Sequence, residues 1–140
     1  MIYAKDLSTT EQIFSHKDDN GKTYTIAVDR LRRKLRDKKP EEHQVDHELA
    51  RIFMEKSGLE QHRLERLVRM SEETFKQLLP GVALLFKDET WVLADGNHQY
   101  VAASIRKYST IRLLIARRQE WAPFIVKDYN AEFSGFSGII

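Results

Sequence analysis

Five consecutive residues, Asp95, Gly96, Asn97, His98 and Gln99, have the types and the order that hold an anion. They follow a β-forming run, Thr90 to Ala94, and precede a helix-forming one, so the pattern predicts a strand that turns directly into a helix. Such a turn leaves the first helical N–H groups without carbonyl partners and gathers the positive end of the helix dipole at one spot. Gly96 permits a positive φ and a close approach of ligand to backbone, while His98 and Gln99 add side-chain donors. The chemistry expected is phosphate binding by Gly96, Asn97, His98 and Gln99. A plainer reading of the same residues is an Asp-Gly tight turn in which Asp95 caps the helix.

Were the site catalytic, Asp95 and His98 would be its acid–base or metal-holding groups, because phosphoryl transfer needs a carboxylate for Mg²⁺ or for a proton. Glu89 and Glu120 are further carboxylates whose place relative to the turn the sequence leaves open. His43 and His47, four apart beside Glu42 and Asp46, have a spacing that can serve one metal, but no Glu-x-x-His pattern accompanies them. They are read as exposed histidines on a charged helix, with no metal site expected. A basic run with Arg30, Arg32, Arg33, Lys34 and Arg36 would attract nucleic acid or an acidic protein partner, or would form a solvated face balanced by Glu41, Glu42, Asp46 and Glu48. Trp91, Trp121 and Phe124 are expected in the core rather than as a base-stacking platform.

These groups need elements to position them. Gln12 to His16 and Lys22 to Val28 are β-forming segments around Asn20-Gly21 and predict an N-terminal hairpin. Val28, Leu31 and Leu35 then fall on one helical stripe, in a basic helix ended near Pro40. A second helix is expected from about Glu41, with Val45, Leu49, Ile52 and Phe53 on its apolar face and Lys56, Ser57 and Gly58 as stop signals. Leu64, Leu67 and Val68 mark a third, and Ser71-Glu72-Glu73 opens a short fourth that stops before Pro80-Gly81. Val82 to Phe86 and Thr90 to Ala94 read as central, buried strands joined by a turn at Lys87-Asp88-Glu89. A helix from Asn97 to about Tyr108, with Val101, Ala102 and Ile105 inward, leads to a strand Thr110 to Ala116 and a last short helix with Trp121, Phe124 and Ile125. The Gly/Ser-rich tail from about residue 130 to 140 is expected to fray unless Phe133 or Phe136 docks.

The 140 residues suffice for one core, and a single domain over 1–140 is expected. No run approaches the roughly 20 apolar residues that span a bilayer, and the first residues lack a signal-peptide stretch, which leads to an expectation of a cytoplasmic protein without membrane contact. Cysteine is absent, so disulfides, thiolate metal sites and thiol nucleophiles are excluded. The net charge of +2 leaves any nucleic-acid binding to local clusters.

The stretch Trp91-Val92-Leu93-Ala94-Asp95-Gly96-Asn97-His98-Gln99-Tyr100-Val101-Ala102-Ala103 resembles the signature of the ParB/sulfiredoxin superfamily, in which a strand passes through Asp/Gly-Gly-x-His-Arg into a helix. The resemblance runs from Val82 to Val126, about a third of the chain, and these segments are similar to small phage and bacterial members. It implies an α+β fold: a small mixed sheet with an N-terminal hairpin, a central helical segment and a strand–loop–helix–strand phosphate core. It also implies a nucleotide such as ATP, with Mg²⁺, as ligand, and phosphoryl transfer or nuclease chemistry if the protein is an enzyme. Two residues depart from the pattern. Asn97 stands where sulfiredoxins need their cysteine, which removes that activity. Gln99 replaces the family arginine and so removes a fixed, bidentate phosphate donor. A non-catalytic module that docks a host protein or DNA, with a degenerate loop, is the alternative.

Overall fold

A computed structural model describes residues 1–56, 58–86 and 90–129, and the chain is a small mixed α+β protein that divides into two compact units. The first unit holds Met1–Arg36 and the described residues from Arg117 on; the second is Asp37–Ala116. Along the chain, β1 (Ile2–Tyr3) and a 3-10 turn (Ala4–Asp6) lead to β2 (Ile13–Lys17), β3 (Thr23–Ala27) and α1 (Val28–Lys34). The second unit contains β4 (Glu41–Gln44), α2 (His47–Lys56), α3 (Gln61–Arg69), α4 (Glu72–Lys76), β5 (Gly81–Leu85), β6 (Trp91–Asp95), α5 (Asn97–Ile105) and β7 (Thr110–Ala116). The chain then returns to the first unit with α6 (Arg118–Trp121), a 3-10 turn (Ala122–Phe124) and β8 (Val126–Lys127).

In the first unit β2 and β3 form the predicted antiparallel hairpin, with Ile13 opposite Ala27 and Lys17 opposite Thr23. Gly21 closes it with φ +82°, and Asp18 Oδ1 accepts the N–H groups of Asn20 and Lys22. Thr25 is buried but satisfied by the Ser15 hydroxyl at 2.9 Å. The apolar stripe Val28, Leu31 and Leu35 is buried as its spacing predicts. The helix stops at Lys34, well before Pro40: Leu35 is its C-cap at ψ 5°, and the next N–H, of Arg36, bonds three residues back to the Arg33 carbonyl at 3.4 Å. Trp121 is fully buried, edge-on to Tyr24 at 5.7 Å, while Phe124 and Ile125 are half-buried. Ile125 lies beyond the helix expected of it and bridges Ile26.

The second unit is a four-stranded sheet in the order β4-β7-β5-β6, mixed because β7 runs parallel to β5 while the other pairings are antiparallel. A parallel pair needs a crossover, and α5 supplies it. Ala83, Leu93, Leu113 and Ile115 pack on one side with α5 and with residues of α2, α3 and α4. Val82, Leu84 and Leu114 are buried too, so β5 is covered on both faces, as its unbroken apolar run requires. β6, expected to be central, is instead an edge strand, and only its Leu93 and Ala94 are buried.

The largest departure lies at Glu41–Gln44, read from sequence as the start of a helix but paired as a strand with β7, Glu41 opposite Leu113. The helix begins only at His47, because the Asp46 carboxylate accepts the N–H groups of Glu48 and Leu49 and sets the N-terminus there. α3 and α4 follow the predicted pattern; Ser71 Oγ accepts the Thr74 N–H as the N-cap of α4. α5 ends at Ile105 rather than near Tyr108, with Lys107 at φ +63° just beyond. Its inward residues are Tyr100, Val101, Ala102 and Ala103; Ile105, expected inside, is 44% exposed. The turn expected at Lys87-Asp88-Glu89, the stop signal at Ser57 and the tail from residue 130 lie outside the described residues. Among the described residues no helix is long and apolar enough to cross a membrane.

Candidate functional site

β6 passes into α5 through a single residue, as the sequence predicts. That residue, Gly96, has φ +98° and ψ +22°, a left-handed conformation that suits glycine. Gly96 itself is the N-cap of α5 and has no side chain to bond, so Asp95 is not the cap; it is the last residue of β6, opposite Val82. The first helical hydrogen bond runs from the Tyr100 N–H to the Gly96 carbonyl at 2.9 Å. The N–H groups of Asn97, His98 and Gln99 are thereby left without carbonyls inside the helix. Space around Gly96 is not open on every side: a Cβ there would lie 2.9 Å from the Gly81 Cα, at the start of β5.

The side chains of the turn diverge. His98 Nε2 accepts the backbone N–H of Glu60 at 2.9 Å, so this nitrogen is committed to α3. Burial, followed by the charge of Arg63, holds the His98 imidazolium below the ordinary histidine range, with Glu60 pulling the other way. Gln99, by contrast, lines a cavity of about 580 Å³. Its apolar lining includes Phe75, Tyr108 and Ile111, and its polar lining includes Lys76 and Arg112 as well as Glu42 and Glu72. Lys76 and Arg112 are exposed and form no ion pair among the described residues; Arg112 Nη2 donates to the Lys76 carbonyl at 3.1 Å. Glu42 Oε1 accepts the Thr110 hydroxyl at 3.0 Å.

Behind the turn, Tyr100 is fully buried between Phe53 and Trp91, with ring centroids at 5.4 and 6.2 Å. Its hydroxyl accepts the Asp46 N–H at 2.9 Å, and burial pushes its phenol pKa up. Arg106, just past α5, donates through Nη1 to the carbonyls of Leu67, Val68 and Met70 at 2.9, 3.0 and 2.6 Å, and its guanidinium stacks over Phe75. These two residues fix the orientation of α5 against α2 and α3.

The other candidates are placed elsewhere. His43 and His47 lie on different elements, β4 and α2, so the shared helical face on which they were read does not exist. His43 Nε2 is buried, 3.9 Å from Glu41 Oε1, and His47 Nδ1 meets the Ser104 hydroxyl at 2.6 Å. No group of three or more His, Asp or Glu among the described residues is arranged to hold a metal ion. On the basic helix of the first unit, Arg30 is consumed by Glu11 in a two-pronged pair, Nε–Oε1 2.7 Å and Nη2–Oε2 2.9 Å. Arg33, Lys34 and Arg36 are exposed and Arg32 half-buried. Glu120 belongs to the first unit, where its carboxylate accepts the Arg117 N–H, and Glu89 lies outside the described residues.

Sequence reasoning missed Lys76, Arg112, Glu60 and Arg106. Lys76 and Arg112 belong to no motif, and only the register of β7 against β4 and β5 brings Arg112 to the cavity. Compared with known proteins, the chain matches no family model, no curated protein and no solved structure.

Proposed function

We propose that this chain binds a small phosphate-bearing ligand at the start of α5, in the manner of a ParB/sulfiredoxin-like phosphate turn, and that it acts there as a binding module. The observation that carries the reading is the position of Gln99. It is the third residue of α5, in the turn whose N–H groups lack helical partners, and it lines a cavity of about 580 Å³ that also holds Lys76 and Arg112. A cavity of roughly this volume, lined by apolar side chains with a few polar groups, accommodates a molecule of nucleotide size. The turn supplies N–H donors for an anion, and the cavity lining supplies two cations, Lys76 and Arg112, beside two carboxylates, Glu42 and Glu72. Binding is favoured over catalysis because the His98 nitrogen that would move a proton is already an acceptor for Glu60.

The test is a melting panel with ATP, ADP, CTP, GTP and inorganic phosphate, each with and without Mg²⁺, since a ligand that binds only the folded chain raises Tm. A selective rise, reduced in Lys76→Ala and Arg112→Ala and increased in Gln99→Arg, supports the reading. No rise with any of these ligands rejects it. In that case the exposed Arg33, Lys34 and Arg36 favour a second reading, docking of nucleic acid or an acidic protein, which a steep loss of duplex-DNA affinity with salt would identify.

A further inference from the structure

α3 and α5 meet through a hydrogen bond that exists in only one protonation state. The Glu60 N–H donates to His98 Nε2 at 2.9 Å, so this nitrogen must carry a lone pair and the ring proton must sit on Nδ1. Glu60 is the N-cap of α3, and its side chain makes no capping bond. In a self-contained capping box the residue three places on, at N3, returns an acceptor to the N-cap N–H. Here N3 is Arg63, whose guanidinium only donates, so the acceptor comes from a different helix.

We propose that His98 is a proton-operated latch: neutral, it holds the first turn of α3 on α5; protonated, it releases that turn. Protonation turns Nε2 into a donor facing a donor, and it sets a cation against the positive end of the α3 dipole. The charged groups around the ring, all from α3, are Arg63 and His62, which oppose the proton, and Glu60, which favours it. The Glu60 carboxylate is shared, with Oε2 3.5 Å from His62 Nε2 and Oε1 3.8 Å from Arg63 Nη1, and α5 carries no charged residue. The folded-state histidine pKa is depressed, so the latch is fully closed above the ordinary value of about 6.5 and is lost as pH falls through the folded-state value. The inference stands on this contact and does not depend on the phosphate reading.

Amide hydrogen exchange on the full chain between pH 7.5 and 5 tests it. After correction for intrinsic rates, protection of the Glu60 amide should fall toward the acid end, while amides of β5 and β7 keep theirs. His98→Gln, which can accept without titrating, should keep the protection at both pH values, and His62→Gln should leave the pH dependence in place. Unchanged wild-type protection, or the same fall in His98→Gln, overturns the latch. Should the variants fail to fold, the imidazole ¹⁵N shifts of the wild type decide: Nε2 unprotonated at pH 7.5 supports it, and Nε2–H refutes it.

Discussion

Gly96 and Gly81 lie back to back, so that a Cβ on Gly96 would sit 2.9 Å from the Gly81 Cα and a Cβ on Gly81 only 2.7 Å from the Asp95 carbonyl oxygen. Both encounters are with backbone, which cannot swing aside as a side chain would. Gly96→Ala adds the cost of a left-handed conformation, on the order of 1–2 kcal/mol, to that clash. The expected outcome is an unfolding free energy in urea lowered by at least this amount, with Gly81→Ala also destabilised although its backbone is not left-handed. A Gly96→Ala protein as stable as the wild type would mean that the turn can relax.

Arg106 ties three carbonyls at the end of α3 to the end of α5. Hydrogen bonds to a charged donor contribute roughly 1.5–3 kcal/mol each when their loss leaves partners unsatisfied, though bonds sharing one guanidinium do not add. Arg106→Ala should therefore destabilise the chain by about 2 kcal/mol or more in chemical denaturation. Arg106→Lys should recover only part of this, because an ammonium cannot reproduce the planar fork or stack as well on Phe75. Full recovery by lysine would show that charge alone matters there.

The pair of Glu11 with Arg30 gives the first unit an acid-sensitive contact. Bonding to Arg30, then to the Ser8 N–H, holds the Glu11 carboxyl below its ordinary range. A depressed carboxylate stabilises the fold above its unfolded pKa, and that stabilisation disappears as pH drops through the folded-state value. Stability measured from pH 6 to pH 2 should thus fall less steeply in Glu11→Gln than in the wild type. Parallel curves for the two proteins would remove Glu11 from the acid transition.

What the sequence disclosed depended on whether a local signal existed. Asn20-Gly21, Ser71 and Asp95-Gly96 are punctuation that acts within a few residues, and the hairpin, the α4 cap and the strand-to-helix turn were readable from them. Glu41–Gln44 carries no such signal. Its residues are poor strand formers and stand before Val45 and Leu49 at helical spacing; it becomes a strand only because the edge of β7 is there to pair with. Ile105 was misplaced because helical spacing identifies a stripe but not where along it the cover ends: Val101, four residues earlier, is buried, while Ile105, the last residue of α5, is exposed. The turn was legible as a motif, whereas the cavity beside it was not, because Lys76, Gln99 and Arg112 meet through strand register and helix packing rather than through neighbouring positions.

The order β4-β7-β5-β6 puts the last strand of the second unit between the first and the second. While the chain is being synthesised, β4 has no partner and β5 has only β6 until Thr110–Ala116 emerges. Closing such long-range pairings carries its entropy cost before any contact offsets it. The first residues of α5 will have left the ribosome before the sheet that orients them can close, so the Gly96 turn should mature late in folding, and a nascent chain stopped short of Ala116 should expose the β4 edge to any strand willing to pair with it.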